Sequence, residues 1–267
     1  MRLSALYRYP LKSARAQALE TSCVGLLGLS GDRRWMLVER DNGRFLTQRA
    51  YPQMSQLSAL YREDGSLVLG ASGRKSLTVP VPDADSNLRG VTIWRDSFRV
   101  PDAGDEAAQW LSEFIGKAVR LVHVPEQRTR FLPSGYGHNS DRVAFADGFP
   151  LLLIGQSSLD DLVHKVGRPL EMLRFRPNLV VEGAKPFAED GWKRIRIGAL
   201  ELRVIKPCER CILTTIDPQT GIRSEDREPL TTLKTYRQKE GDVLFGQNLV
   251  ADGTGVLEVG MPVTVLE

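Results

Sequence analysis

Short runs of Val, Ile, Leu, Tyr and Thr, each cut off by glycine or proline, dominate this chain, which carries 24 glycines and 15 prolines. β-Branched and aromatic side chains suit the pleated surface of a strand. Proline cannot donate to a ladder and glycine weakens one, so the pattern calls for many short strands joined by tight turns. The expected fold class is mainly β, two β-rich modules with few short helices. No repeat at a fixed period and no βαβ repetition is visible, which argues against a Rossmann fold.

Local patterns place the elements. Arg2 to Tyr9 reads as a strand, followed by a turn at Pro10-Leu11-Lys12-Ser13 and a second strand-like piece through Cys23. Arg34 to Arg40 alternates around Trp35, Leu37 and Glu39 and is closed by Asp41-Asn42-Gly43, which predicts a hairpin. Glu63-Asp64-Gly65-Ser66 predicts another turn, between Leu57–Tyr61 and Leu67–Leu69. Short strands follow around Leu77–Val79, Val91–Trp94 and Phe98–Val100. Ala107, Ala108, Trp110, Leu111, Phe114 and Ile115 then switch to helical spacing, with Asp105 and Glu106 suited to the first turn. After a strand at Val119 to Val124, the polar stretch from Glu126 to Asp141 reads as a loop. The module boundary is expected there, giving units 1–124 and 125–267. In the second unit a helix is expected from Ser157, as cap, to the stop at Gly167-Arg168-Pro169, and a short one over Pro229 to Tyr236. Strands are expected over 178–182, 194–206 with a turn at Gly198-Ala199, 248–251 and 262–266.

Charge and cysteine usage narrow the function classes. The 36 basic and 33 acidic groups leave a net +3, too little for a general electrostatic attraction to nucleic acid or an anionic membrane, and only 7% of residues are aromatic. No apolar run approaches the ~20 residues that span a bilayer, and no signal-peptide pattern opens the chain. A cytoplasmic location, with no nucleic acid and no membrane as partner, is the expectation. Three cysteines, Cys23, Cys208 and Cys211, suit a reducing compartment rather than a disulfide framework.

The sharpest local feature is Lys206-Pro207-Cys208-Glu209-Arg210-Cys211, at the end of a predicted strand. Zinc needs four ligands, and only Cys23, His123, His138 and His164 could supply the two that the Cys208–Cys211 pair lacks. A thioredoxin-like dithiol would sit at a helix start, whereas Cys211 opens the β-branched stretch Ile212–Ile216 before Asp217-Pro218. Two further readings are a pair of buried core cysteines and a single thiolate bound to a soft metal carried by an organic cofactor. The last needs only one cysteine, plus cations and amides for a phosphate. Lys12, Arg33 and Arg176 are loop cations that meet that need, and Pro177 and Asn178 stiffen and equip the last of them.

These segments together resemble a known family. Tyr9-Pro10-Leu11-Lys12-Ser13, Asp32-Arg33-Arg34-Trp35, Ala107 to Leu111, Phe175-Arg176-Pro177-Asn178, Glu189 to Trp192, Cys208 to Pro218 and Leu244-Phe245-Gly246-Gln247 occur in the order seen in MOSC-domain proteins with a β-barrel N-terminal module. The likeness is to the branch of amidoxime-reducing components and bacterial reductases of N-hydroxylated compounds, and it covers nearly the whole chain. It implies a MOSC-type β-barrel with a smaller N-terminal β-rich module, and an enzyme, a molybdenum-dependent oxidoreductase using the molybdenum cofactor (Mo-molybdopterin). Oxygen would be abstracted from amidoximes, hydroxylamines or N-hydroxylated bases through a Mo(IV)/Mo(VI) couple. By the same matching Cys211 is the metal ligand and catalytic centre. Lys12, Ser13, Arg33, Asp147, Gly148, Arg176, Asn178, Glu209 and Arg210 fall on cofactor-binding positions, so the first 33 or so residues would share in the site. Cys208 matches a position that does not ligate, and Asp217 reads as a turn residue more than a proton carrier. Bacterial relatives with a C-terminal iron-sulfur module, and mitochondrial ones with a membrane anchor, differ from this chain, which shows neither feature. Electrons would then come from a separate donor protein (a ferredoxin, a flavodoxin reductase or a cytochrome b5-like protein). The competing reading is a cofactor carrier or sulfur-handling MOSC module without reductase activity.

Overall fold

The computed structural model describes all residues from Met1 to Glu267. Strands take 39% of the chain and helical segments 18%, so the class is mainly β as the punctuation by Gly and Pro requires. The largest sheet has nine strands. Its path runs Gln17–Leu19, Arg2–Arg8, Leu179–Glu182, Leu151–Gly155, Asp242–Ala251, Leu200–Arg210, Arg194–Ile197 and Val263–Val265, with Gln238–Lys239 paired to Asp242–Ala251. Leu3 N donates to Met261 O (2.9 Å), Gly260 N to Leu3 O (2.7 Å) and Val263 N to Met1 O (3.0 Å), which close the sheet into a barrel. Alternate side chains of these strands, among them Leu3, Leu6, Leu153, Val181, Ile195, Leu202 and Leu249, fill its interior.

Only one pair in this sheet is parallel, Leu151–Gly155 with Leu179–Glu182, and helix α1 (Gln156–Val166) spans the crossover. The apolar run at 151–154 is thus a strand buried on both faces. The helix begins one residue earlier than Ser157. That serine does not cap it, because its hydroxyl donates to Ala184 O at 2.7 Å.

The first half supplies smaller sheets. Ser58–Tyr61, Leu67–Gly70 and Leu77–Val79 form one, and Leu88–Ile93 with Asp96–Pro101 forms a hairpin. A helix at Asp105–Ile115 buries Ala107, Leu111 and Ile115 against Trp35 and Leu37. The turn at Asp41-Asn42-Gly43 is present, but the predicted hairpin has only one bridge beyond it, Val38 with Phe45. The full partner of Trp35–Glu39 is Val119–His123, some 80 residues on, because both of its faces are buried and need apolar cover. Thr21–Gly25 pairs with Gly255–Glu258, so the first 30 residues are woven into the C-terminal half. No helix is long and apolar enough to cross a membrane.

Candidate functional site

Leu200–Arg210 is an 11-residue strand with a proline inside it. Register shifts flank Pro207, one between Val204 and Lys206 and one between Pro207 and Glu209, so the missing N–H falls where the ladder is already broken. The strand ends at Arg210. Cys211 follows as the extended residue before a single 3-10 turn, Ile212–Thr215, and its carbonyl accepts from Thr214 N at 3.1 Å. The β-branched stretch after Cys211 is a tight turn and not a helix start, and the Cys211 thiol lies exposed at the rim of a cavity.

Behind Cys211 the walls are built from arginines. Arg210 Nε donates to Phe245 O (2.7 Å) and Nη1 to Phe175 O (2.9 Å), with the guanidinium lying against Gly246. Gly246 has φ +80, and a Cβ there would sit 2.7 Å from Leu153 O and 3.3 Å from Arg210 Nη2. Arg176 occupies the left-handed region (φ 55) just before Pro177 and donates Nη1 to Ala14 O at 2.8 Å. Arg174 reaches Asp217 Oδ2 at 2.7 Å. Asp217 also accepts from Gln219 N and Thr220 N through Oδ1, which makes it the turn residue the Asp-Pro context foretold.

The N-terminal segment closes the opposite wall. Arg33 and Arg176 stack on the two sides of the fully buried Tyr9, 4.3 and 4.2 Å from the ring centre, and the Tyr9 hydroxyl donates to Pro177 O. Arg33 Nη1 donates to Asp32 Oδ2 (2.6 Å) and Asn178 Oδ1 (2.9 Å). Asn178 in turn accepts from Leu152 N and donates to Tyr7 O, pinning three strands together. Lys12 Nζ, almost wholly buried, donates to Phe145 O (2.7 Å) and Asp147 Oδ1 (2.5 Å). Four of the eight non-glycine residues with positive φ, Ser13, Arg33, Trp94 and Arg176, stand at this site or beside it. Each costs about 1–2 kcal/mol of backbone strain, and such strain gathers where a side chain must be aimed rather than merely packed.

All ten residues singled out from the sequence, Lys12, Ser13, Arg33, Asp147, Gly148, Arg176, Asn178, Glu209, Arg210 and Cys211, line this one cavity of about 150 Å³. Its charge is unbalanced. Six cations (Lys12, Arg33, Arg49, Arg174, Arg176, Arg210) face two carboxylates (Asp147, Glu209), and Glu209 is already taken by Lys206 at 2.5 Å. Arg174 Nε and Nη1, Arg176 Nη2 and Arg210 Nη2 are buried without any hydrogen-bond partner. Burial lowers Lys12 to about 8 and Arg176 to about 10. Desolvation where it meets Lys12 opposes ionisation of the otherwise exposed Asp147, but the Lys12 ammonium outweighs it and holds the carboxyl at about 2. Desolvation pushes the Cys208 thiol up. Guanidinium groups left without partners are costly in a protein interior, and their chemistry suits charge-assisted hydrogen bonds to an anion.

The MOSC N-terminal beta barrel domain model matches residues 1–118 and the MOSC domain model residues 140–264. The chain belongs to this MOSC family. It is 35% identical over 281 residues to "Mitochondrial amidoxime-reducing component 1" of Mus musculus, covering 99% of this chain and 82% of the relative. The human protein of that name is 33% identical, over 99% of this chain and 82% of the relative. "Mitochondrial amidoxime reducing component 2" of Bos taurus is 35% identical, over 98% and 82%.

Within the MOSC site, zinc has no ligand set: Cys23 lies on a different sheet, and no three His, Cys, Asp or Glu side chains come together anywhere. Cys208 lines the same cavity but is half-buried, its thiol pointing to Glu209 O at 3.7 Å, whereas Cys211 is exposed. Sequence reasoning missed Thr47, Arg49 and Arg174. Arg174 was legible in principle, two residues before Arg176. Arg49 lies in a loop with no strand or helix period, and only the fold brings its Nη1 to 3.9 Å from Cys211 Sγ.

Proposed function

We propose that this protein is a molybdenum-cofactor-dependent reductase of N-hydroxylated compounds, supplied with electrons by a separate protein. The observation that carries the reading is the convergence of Arg174, Arg176 and Arg210, which hold four guanidinium nitrogens without a hydrogen-bond partner, on the cavity that also carries the exposed Cys211 thiol. Relatives named as amidoxime-reducing components, similar over nearly the full chain, support it. A pterin phosphate would satisfy Arg174, Arg176 and Arg210, and a soft metal would take the Cys211 thiolate. When bound, the cofactor supplies a two-electron couple at a thiolate-ligated metal.

The chain's own residues do the rest. Cys211, held at a strand end by the turn behind it, presents its sulfur toward the opening. Lys12, Arg174, Arg176 and Arg210 neutralise the anion, and Arg33 with Asn178 locks the N-terminal wall in place so that the cation array is preformed. Lys12, its grip on its proton weakened by burial, and Asp147, ionised beside it, stand where protons needed to make water can pass.

The test is metal and pterin content, with benzamidoxime reduction by artificial donors, of protein made in a host that synthesises molybdopterin. Wild type is expected to hold near-stoichiometric molybdenum and to turn over. Cys211→Ala should fold but lose turnover, while Cys208→Ser stays close to wild type. Wild type without molybdenum or pterin, or Cys211→Ala as active as wild type, would overturn the reading. Cofactor bound without turnover would point instead to a carrier or sulfur-handling role.

A further inference from the structure

A second, larger cavity of about 1270 Å³ opens beside the first, and Thr47, Arg49 and Asp147 line both. These three side chains form the threshold between the open groove and the Cys211 thiol. Arg49 is the only cation among them. Its Nη1 lies 3.9 Å from Cys211 Sγ, its guanidinium makes no other hydrogen bond to the protein, and its backbone carbonyl is fixed by Arg223 Nη2 at 2.9 Å. Unlike Arg174, Arg176 and Arg210, it has no buried orphan N–H, so its free donors are open to whatever enters.

The guanidinium is held in place by Trp94, whose ring centre is 4.6 Å from Arg49 Cζ. Trp94 sits at the two-residue tip of the hairpin Leu88–Ile93/Asp96–Pro101, with φ 56, a position usually given to Gly, Asn or Asp. An indole there is half-exposed and strained. Its Nε1 donates to Asp147 Oδ1 at 3.1 Å and its ring packs on Phe45 at 5.1 Å. Lys12 holds the same Asp147 oxygen from the other side. The hairpin of the N-terminal half thus delivers a rigid shelf, anchored at both ends, whose one evident load is the Arg49 side chain.

We propose that Arg49, steadied on Trp94, orients the substrate at this threshold by donating a hydrogen bond to the oxygen of its N-hydroxyl group. The inference rests on the reductase reading and deepens it. Reduction of R–NH–OH with two electrons and two protons breaks the N–O bond and yields R–NH₂ and water, so negative charge grows on that oxygen as the bond lengthens. A fixed N–H donor there favours the change and keeps the oxygen turned toward the Cys211 side of the opening. The groove is large enough to hold the rest of a drug-sized substrate, and the arginine stands at its inner end.

The experiment uses cofactor-loaded wild type, Arg49→Ala, Arg49→Lys and Trp94→Ala with benzamidoxime as substrate, recording molybdenum content, kcat and KM separately. Arg49→Ala is expected to keep its molybdenum and lose roughly 10- to 100-fold in kcat/KM, mostly in kcat. Added guanidinium ion should restore part of it, which a purely structural role would not allow. Arg49→Lys should fall between, and Trp94→Ala should lose roughly 2- to 5-fold. Arg49→Ala turning over like wild type, losing its molybdenum, or showing no response to guanidinium would overturn the proposal while leaving the reductase reading intact. Fully loaded wild type with no turnover would overturn both.

Discussion

Replacing Arg176 by methionine should make the cofactor-free protein slightly more stable and the loaded protein much less able to keep its ligand. Burial lowers the guanidinium well below its ordinary value, to about 10. At pH 7 the side chain is protonated in both folded and unfolded chains, so the whole shift is a penalty on the fold, up to about 3 kcal/mol. Partial solvent contact makes that an upper bound. Against it stand the hydrogen bond to Ala14 O, worth about 1 kcal/mol, and the stacking on Tyr9, worth about 1 kcal/mol. Arg176→Met therefore gains roughly 1 kcal/mol without ligand, a rise of about 2–4 °C in Tm. In the loaded protein the charge-assisted bonds to a phosphate are gone, and retention should fall at least ~10-fold. Thermal denaturation of cofactor-free protein, paired with pterin content after dialysis, reads both. A variant that melts lower than wild type yet keeps its pterin would refute the account of the cation array.

Two more outcomes follow from the same cavity. Lys12 titrates near 8 in the fold against 10.5 unfolded, so its burial penalty is complete below pH 8 and relieved as pH rises toward 10.5. Cofactor-free wild type should gain on the order of 2–3 kcal/mol relative to Lys12→Met across that window, while pterin retention by wild type falls through pH 8; flat difference curves from urea melts would contradict it. Gly246→Ala should cost about 2–4 kcal/mol, because the new methyl meets Leu153 O and Ile154 Cγ1 at 2.7 Å in a left-handed backbone, and should displace Arg210; a variant with unchanged Tm and pterin content would rule that out.

Much of the site was legible because its residues sit in short, distinctive segments: Lys12 and Ser13 after Pro10, Arg176 and Asn178 around Pro177, Cys211 after its strand. What escaped was the contribution of side chains that carry no period and gain meaning only by tertiary approach. Arg49 lies in an irregular loop, and Trp94 looked like one more strand residue, since a positive φ at a hairpin tip leaves no mark when the occupant is an indole. The fold shows the same division. Alternation revealed the strands and 3.6-residue spacing revealed the helix at Asp105–Ile115. Long-range pairing, as of Trp35–Glu39 with Val119–His123, and the use of the Ser157 hydroxyl outside its helix, depend on partners that local patterns do not name.

The strand Arg2–Arg8 is hydrogen-bonded to Leu179–Glu182, and Thr21–Gly25 to Gly255–Glu258, so the beginning of the chain is among the last parts to find its neighbours as the polypeptide leaves the ribosome. Until Gly255–Glu258 and Val263–Val265 have emerged, the barrel lacks its closing staves. Long-range pairing of this kind slows folding. It also means that the halves cannot be traded between relatives as cassettes: a graft joined near residue 124 would import a foreign strand into the host barrel and a foreign lysine into the cavity beside Cys211.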